Sequence, residues 1–224
     1  MNTRAILICA LLGLTGCGMV PAGDSQPTRR SSAPVSAPAP VAVTKEAQMC
    51  LAGLGETGSR FSPLPDRYYG AGCQAVNSVQ LSALQGDRGQ FGLSNIGPVT
   101  CPTAQTLSGW ARFGVDRAAR QILGSPLARI ETMGSYSCRN VAGTSRRSAH
   151  SQAAAIDVAA FVLEDGQRIE VKSDWSEGSA KEREFLRVVH QSACKRFGTV
   201  LGPDYNAAHR DHFHLEHGDG RFCR

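Results

Sequence analysis

Three of the six histidines of the chain, His209, His212 and His214, lie within six residues of one another near the end of the sequence. Asp211 and Phe213 lie between them. In a β-strand, side chains two residues apart share a face, so His212 and His214 would point to one side and Asp211 and Phe213 to the other. Histidine is the commonest metal ligand, and a His-x-His pair can supply one ligand and its neighbour to a divalent ion. The segment therefore predicts a metal site whose remaining ligands come from elsewhere in the chain.

Two further residues could complete this metal site. Asp157 interrupts the apolar run from Ala155 to Leu163, where a buried carboxylate is costly unless it is paired or bound to a metal. His150 lies upstream in a turn, and a turn histidine and a strand aspartate at this spacing can converge on one point. With His214 they form a set of two imidazoles and one carboxylate. Such a set leaves the fourth tetrahedral position of a zinc ion open for water, as in catalytic zinc sites.

Each of these three residues also has an ordinary explanation. His150 could be an isolated surface histidine, Asp157 could cap a turn, and His214 could belong to a histidine-rich strand end. All three explanations would have to hold together by coincidence, so the metal site is the preferred interpretation.

Predicted strands position these residues. The apolar run 155–163 has the length of a strand, and the turn Glu164-Asp165-Gly166 leads into a second strand near 168–171, which predicts a β-hairpin. A strand is expected from Ile130 towards Cys138, followed by a polar, basic loop over 140–149. Residues 199–201 and 211–216 would be the closing strands, and residues 55–100 would form loops and short strands.

Predicted helices complete the domain. Residues 101–123 have apolar side chains at helical spacing, with Trp110 on the apolar face and Gly124 as the stop. A second amphipathic helix is expected over 181–197, and a short one over 45–54 that ends at Gly53 or Gly55. The mixture predicts an α+β fold with a small antiparallel sheet and flanking helices.

The N-terminal segment is typical of a bacterial lipoprotein. Arg4 is followed by an apolar run over 5–14, which is too short to span a bilayer and has the length of a secretory signal. The next residues, Leu14-Thr15-Gly16-Cys17, resemble a lipobox, so residues 1–17 are predicted to be a signal peptide ending at Cys17. Lipidation of Cys17 would anchor the protein to a membrane that it does not span. The alternative is an ordinary cleaved signal in which Cys17 is incidental.

The region 18–44 is rich in Pro, Ala and Ser without helical or strand periodicity, which predicts a disordered linker before a domain over 45–224. The net charge of +5 is modest, and arginines occur in pairs rather than patches, which argues against nucleic-acid binding.

Six cysteines remain after Cys9 and Cys17 are set aside, and none forms a Cys-x-x-Cys pair. In an exported chain this pattern predicts three disulfides rather than a thiolate zinc site, and six cysteines allow 15 pairings. Closeness along the chain predicts the pairs Cys50–Cys73, Cys101–Cys138 and Cys194–Cys223.

The site residues also carry a family resemblance. Ser148, His150, Ala155 and Asp157 match the Ser-x-His-x-x-Gly-x-Ala-x-Asp motif of the D-Ala-D-Ala carboxypeptidase and lysostaphin-type zinc peptidases, which share the Hedgehog signalling-domain fold. More closely, residues 46–224 resemble the bacterial extensin-like C-terminal domain family. The matching stretches are 134–139, 148–161, 197–203 and 209–215.

The resemblance to the peptidases implies roles for individual residues. It makes His150, Asp157 and His214 the zinc ligands, and places Asp211 where those peptidases have a glutamate that transfers the proton of the attacking water. A regular strand would turn Asp211 away from His214, so Asp211 must precede the strand or lie at a bulge. His212, on the face of His214, is the rival base or a partner of the ligands.

Two further positions follow from the same comparison. Arg139 resembles the arginine that holds the charge of the tetrahedral intermediate or a substrate carboxylate, and a plain surface arginine is the alternative. Ala153 replaces the glycine of the motif. If that glycine has a positive φ, alanine would strain the turn that carries His150.

The leading hypothesis is an exported zinc peptidase-like domain that hydrolyses an amide bond in peptidoglycan peptides and faces the periplasm from a lipid anchor. Two alternatives remain. The first is a non-catalytic module of the same fold that keeps the metal for stability or binds cell-wall peptides or glycans. The second is an envelope structural protein held together by disulfides, without a metal.

Overall fold

The structure is a computed structural model that describes residues 44–224. The predicted signal peptide with Cys17, and the predicted linker up to residue 43, lie outside the described residues. Within 44–224, no helix combines the length and the apolar character needed to cross a membrane.

A large, mostly antiparallel sheet forms the centre of the described region. The strands are β1 (Arg60–Pro63), β2 (Arg67–Gly70), β3 (Cys73–Ala75), β4 (Ser78–Gln85), β5 (Gln90–Ser94), β6 (Val99–Thr100), β7 (Leu127–Gly134), β8 (Ala155–Leu163), β9 (Arg168–Glu170), β10 (Thr199–Leu201), β11 (Phe213–Glu216) and β12 (Phe222–Cys223). Ten of them form one sheet in the order β1-β4-β5-β7-β8-β11-β10-β12, with β6 beside β4 and β9 beside β8. The pairs β5–β7 and β10–β12 are parallel. The sheet is mostly antiparallel, as predicted, but it is larger than the small sheet expected, because strands from the region 55–100 extend it.

Among residues 44–224, four α-helices accompany the sheet: α1 (Lys45–Glu56), α2 (Cys101–Trp110), α3 (Val171–Asp174) and α4 (Ala180–Cys194). The predicted helix over 101–123 is present, but after α2 it continues as π-helical turns over Ala111–Asp116 and Ala119–Leu123. It stops as predicted at Gly124, whose φ of 86° ends the helix in the left-handed conformation. At the start of α4, Ser179 and Glu182 form a capping box that satisfies free backbone N–H groups.

Helices α2 and α4 pack on one face of the sheet. Trp110 is fully buried, and its indole N–H donates to the Val189 carbonyl at 2.9 Å, which joins the two helices. The Phe161 ring of β8 lies 6.1 Å from Trp110 and 5.3 Å from Phe185 between ring centroids. The apolar core therefore lies between β8 and the two helices. The burial of Trp110 confirms the prediction that this side chain belongs to the core.

Three disulfides close the domain, as expected, but two of the predicted pairings were wrong. The bonds are Cys50–Cys101, Cys73–Cys138 and Cys194–Cys223. Cys50 lies on α1 and reaches α2, while Cys73 lies on the β2–β3 hairpin and reaches the loop after β7. The sheet brings these segments together across more than 50 residues of chain, so closeness along the sequence does not determine the pairing.

Candidate metal centre

The pairing of β8 with β11 places two of the predicted ligands side by side. The strands are antiparallel, and Asp157 lies directly opposite His214. Neighbours on a strand point to opposite faces, and Phe213 packs against Phe161 on the helix side at 6.4 Å between ring centroids. His214 and Asp157 therefore lie on the sheet face that is turned away from α2 and α4.

The third predicted ligand comes from the short 3₁₀ turn Ala149–Gln152 that precedes β8. The Ser148 hydroxyl caps this turn by accepting a hydrogen bond from the His150 N–H at 3.4 Å. The turn ends at Ala153, which adopts φ 54° and ψ 25° and is fully buried. Ser148 and Ala153, the two motif positions at the ends of this turn, therefore direct the His150 side chain towards Asp157.

Ala153 therefore occupies the positive-φ position that glycine would tolerate more easily. The left-handed conformation costs an alanine about 1–2 kcal/mol. Backbone bonds hold it there: its N–H donates to the His150 carbonyl at 3.2 Å, and its carbonyl accepts from the Thr100 N–H at 2.8 Å. The turn keeps its shape in spite of the substitution, and His150 still reaches Asp157.

Three donor atoms converge at the site. His150 Nε2 lies 3.1 Å from His214 Nδ1 and 3.2 Å from Asp157 Oδ1, and His214 Nδ1 lies 2.8 Å from the same oxygen. A tetrahedral zinc ion with bonds of 2.0–2.1 Å separates its ligand atoms by about 3.3 Å. The side chains are 3%, 14% and 7% exposed for His150, Asp157 and His214. Spacing and burial therefore fit a single small cation.

In each imidazole, the ring nitrogen that points away from the centre (the outer nitrogen) makes a hydrogen bond. That bond determines which nitrogen faces the centre. His150 Nδ1–H donates to the Ser135 carbonyl at 3.0 Å, and His214 Nε2–H donates to the Glu216 carboxylate at 2.9 Å. Outer partners of this kind fix the tautomer of metal-binding histidines. The two inner nitrogens then turn lone pairs towards each other and towards Asp157. Such a set of acceptors needs a cation at its centre, so the residues present fit a metal ion.

Without a metal, a proton provides this positive charge. Burial of the His214 ring opposes its protonation, but the hydrogen bonds to Asp157 and Glu216 outweigh burial and raise the pKa of His214 to about 9. Burial raises the pKa of Asp157 less than its bonds to His150 and His214 lower it, so that carboxyl stays ionised. A metal ion would replace this proton.

A third histidine, His212, faces the same centre. His212 Nδ1–H donates to Asp211 at 2.8 Å, and His212 Nε2 lies 3.5 Å from Asp157 Oδ1. Asp211 lies in the turn before β11, which begins at Phe213, so it precedes the strand as the sequence required. The predicted strand start at residue 211 was two residues early. The hydrogen bond from His212 lowers the pKa of Asp211. Asp211 is thus placed to orient His212.

His209 belongs to the same group of rings, although the sequence interpretation left it outside the ligand set. Its ring centroid lies 5.2 Å from that of His212 and 5.7 Å from that of His214, and its Nδ1–H donates to Asn206 at 2.8 Å. One ring nitrogen of His209 that could bind a metal lies within 4.8 Å of the corresponding nitrogens of His212 and His214. Burial, followed by electrostatic repulsion from the His212 and His214 rings, lowers the pKa of His209 to about 4.

Arg139 lies at the edge of this group. Its side chain is exposed, and its positive charge contributes to the lowered pKa of His209. The Arg139 carbonyl accepts from the Ser148 N–H at 3.1 Å, next to the turn that carries His150. The geometry therefore allows Arg139 to meet a ligand that approaches the site.

The two partners of the outer nitrogens were missed from the sequence. Glu216 lies two residues after His214, on the same strand face, so the period of two could have indicated it. The Ser135 carbonyl is a backbone group, and no pattern of side chains indicates it.

The comparisons with known proteins identify the family. A family model described as extensin-like protein C-terminus matches residues 48–224, so the chain belongs to this family, as its motifs indicated. This stretch includes every residue of the candidate centre. No curated protein and no solved structure matches the chain.

Proposed function

We propose that the domain is a zinc-dependent hydrolase that cleaves an amide bond in peptidoglycan peptides. The observation that carries this proposal is the convergence of His150 Nε2, Asp157 Oδ1 and His214 Nδ1, with the outer nitrogens of both rings bound to acceptors. Two imidazoles and one carboxylate are a ligand set of catalytic zinc sites. A zinc ion held there would polarise a carbonyl group and lower the pKa of a water molecule.

The chain's own residues would handle the proton and the substrate. His212 Nε2 faces the donor atoms and would accept the proton of the attacking water and return it to the leaving amine. Asp211 would hold His212 in the tautomer that leaves Nε2 free to accept. The Arg139 guanidinium would bind the charge of the intermediate or a substrate carboxylate. This assignment favours His212 over Asp211 as the base.

The wider setting is part of the proposal. The sequence motif supports a Hedgehog and D-Ala-D-Ala peptidase-like fold, and the lipobox-like segment supports an anchor at Cys17 on the periplasmic side of the envelope. Three disulfides are consistent with an oxidising compartment. Peptidoglycan peptides would be the substrates within reach of a domain tethered there.

A second candidate is a non-catalytic module that keeps the metal and binds cell-wall peptides. Two departures from the peptidase motif favour it: alanine replaces the glycine at residue 153, and Asp211 is one methylene shorter than the glutamate at the corresponding position. The ligand set itself is the same in both candidates, so metal content alone does not separate them.

Metal analysis of the purified protein tests the shared premise. One zinc per chain is expected in the wild type, and His150→Ala should lose it. His217→Ala is the matched control, because His217 is an exposed histidine whose ring contacts Thr106. Wild type without zinc, or equal zinc in His150→Ala, would refute the metal centre.

Digestion of purified muropeptides, followed by mass analysis, then separates the two candidates. Zinc-loaded wild type should release a defined peptide fragment, and His212→Gln should not. If zinc-loaded wild type leaves every muropeptide intact while it still binds them, the domain is the non-catalytic module.

A further inference from the structure

A basic groove lies on the outer side of the helix layer, away from the metal centre. It runs between the π-helical continuation of α2 and the second half of α4, with a volume of about 410 Å³. The described residues that line it include three cations and no acidic residue: Arg117, Lys195 and Arg196. Lys195 and Arg196 are exposed where α4 ends.

Two apolar side chains share this groove with the cations. Phe113 is 46% exposed and Val188 is 39% exposed, although both belong to elements whose other faces are in the core. The guanidinium carbons of Arg112 and Arg117 lie 5.2 and 4.7 Å from the centre of the Phe113 ring. An exposed aromatic ring between arginines is common where proteins meet the boundary between lipid headgroups and acyl chains.

The local charge stays positive after neighbouring acids are counted. Asp87 pairs with both Arg112 and Arg117, at 2.9 and 2.6 Å. The buried Asp116 pairs with Arg120 and also acts on Arg117. Five cations therefore face two carboxylates, and Lys195 and Arg196 have no acidic partner among the described residues. An anionic occupant is favoured by this balance.

We propose that this groove is a docking surface for an anionic phospholipid bilayer. A bilayer offers phosphate groups to the cations and an apolar boundary to Phe113 and Val188, whereas a soluble polyanion offers nothing to the two apolar side chains. Helix α4 buries Phe185 and Val189 in the core, whereas Lys195 is exposed directly after the end of this helix. His150, Asp157 and His214 lie beyond the sheet, so docking would leave the metal centre facing away from the membrane.

Vesicle co-sedimentation tests this surface. The full chain with Cys17→Ser removes the predicted lipid attachment, and every variant is made in this background. Vesicles of phosphatidylcholine, with or without phosphatidylglycerol, are the probes. Lys195→Gln/Arg196→Gln should weaken partitioning into the anionic vesicles about 25-fold, since each basic residue near an anionic surface contributes about fivefold. Phe113→Ala should weaken partitioning further in the same vesicles.

The matched control is Arg60→Gln/Arg67→Gln, which removes the same charge from two exposed arginines outside the groove. It should change partitioning less than about twofold. Arg196 also donates to Ser192 at the end of α4, so Lys195→Glu alone serves as a second variant that leaves this contact intact. Equal losses in the groove and control pairs would overturn the proposal. So would groove-dependent binding to heparin, a soluble polyanion, without groove-dependent binding to vesicles.

Discussion

At the scale of single residues, Glu216 would determine how well His214 binds the proposed zinc ion. Its carboxylate accepts the outer N–H of His214 at 2.9 Å and is partly buried at the end of β11. This bond fixes the tautomer and makes the inner nitrogen a stronger donor to a cation. The residue therefore contributes to metal affinity without touching the metal position.

Glu216→Gln should lower zinc affinity about 10-fold and Glu216→Ala closer to about 100-fold, with the fold retained. Competition with a chromophoric chelator measures the affinity. Glu164→Gln is the matched control, because Glu164 is an exposed glutamate in the turn after β8. Unchanged affinity in Glu216→Ala would mean that His214 does not bind the metal through Nδ1.

The proton-transfer roles of His212 and Asp211 can be separated by conservative variants. His212→Gln should lower kcat about 10²- to 10⁴-fold, because general base catalysis contributes about that much. Asp211→Asn should have the smaller effect, since it removes only the orienting partner of His212. Single-turnover kinetics on muropeptides at full zinc occupancy measure both. A larger loss in Asp211→Asn would make Asp211 the base.

At this scale the sequence indicated which three side chains come together, because the types and spacing of His150, Asp157 and His214 carry the chemistry of a metal site. It did not predict how their side chains are held. Glu216 shares the strand face of His214, but in the sequence it resembles any polar residue at the end of a strand. The Ser135 carbonyl is invisible in a sequence, since its position depends on how the loop after β7 turns back towards His150.

At the scale of elements, the turn over Ala149–Gln152 is the most constrained part of the site. Ala153→Val should lower the free energy of unfolding by about 2–4 kcal/mol, because a β-branched side chain is poorly tolerated at positive φ and the site is fully buried. Denaturant unfolding measures the change. Ala83→Val, in the half-buried β4, is the control and should cost less than about 1.5 kcal/mol. Equal losses of unfolding free energy in the two variants would show that the positive φ of Ala153 does not affect stability.

Helix α4 carries a buried histidine that makes stability depend on pH. Burial lowers the pKa of His190 below its ordinary value of 6.5, against the smaller effects of Arg224 and Asp204. The folded state therefore keeps His190 neutral while the unfolded chain takes up a proton below that value. The stability that neutral His190 contributes is present above pH 6.5 and is lost as the pH falls through it.

Urea unfolding at about pH 7.5 and about pH 5.5 tests this linkage. His190→Gln should lose less stability between the two pH values than the wild type does. His217→Gln removes an exposed histidine and should behave like the wild type. An unchanged pH dependence in His190→Gln would refute the assignment.

Local sequence patterns predicted a strand well where the burial of one face alone determines that element. The bounds of β8 and β10 match the predicted strands 155–163 and 199–201. The extent of the sheet was missed because β5 and β7 pair in parallel across a long connection through α2, and such pairing leaves no local signal. The π-helical turns after α2 were also missed, since a π turn and an α turn bury nearly the same side chains.

At the scale of the whole molecule, the disulfides connect segments that are distant in sequence. Cys73–Cys138 ties the β2–β3 hairpin to the loop after β7, which contains Ser135 and leads to His150. Its removal should therefore affect the site as well as stability.

Cys73→Ser/Cys138→Ser should lower the free energy of unfolding by about 2–5 kcal/mol and weaken zinc binding, because the loop that orients His150 loses a constraint. The matched control is Cys50→Ser/Cys101→Ser, which removes a disulfide that closes a loop of similar length. It should cost similar stability and leave zinc affinity unchanged. Chemical denaturation and chelator competition give the two quantities. Loss of affinity in both variants would attribute the effect to global destabilisation.

The pairing of β8 with β11 also dictates when the centre can form. Asp157 and His214 are 57 residues apart, and α3, α4 and β10 lie between β8 and β11 in the chain. A growing chain therefore carries His150 and Asp157 long before His214 can join them. Metal uptake would consequently follow the synthesis of β11 and its pairing with β8, so that a bound ion would mark a chain in which these two strands are paired.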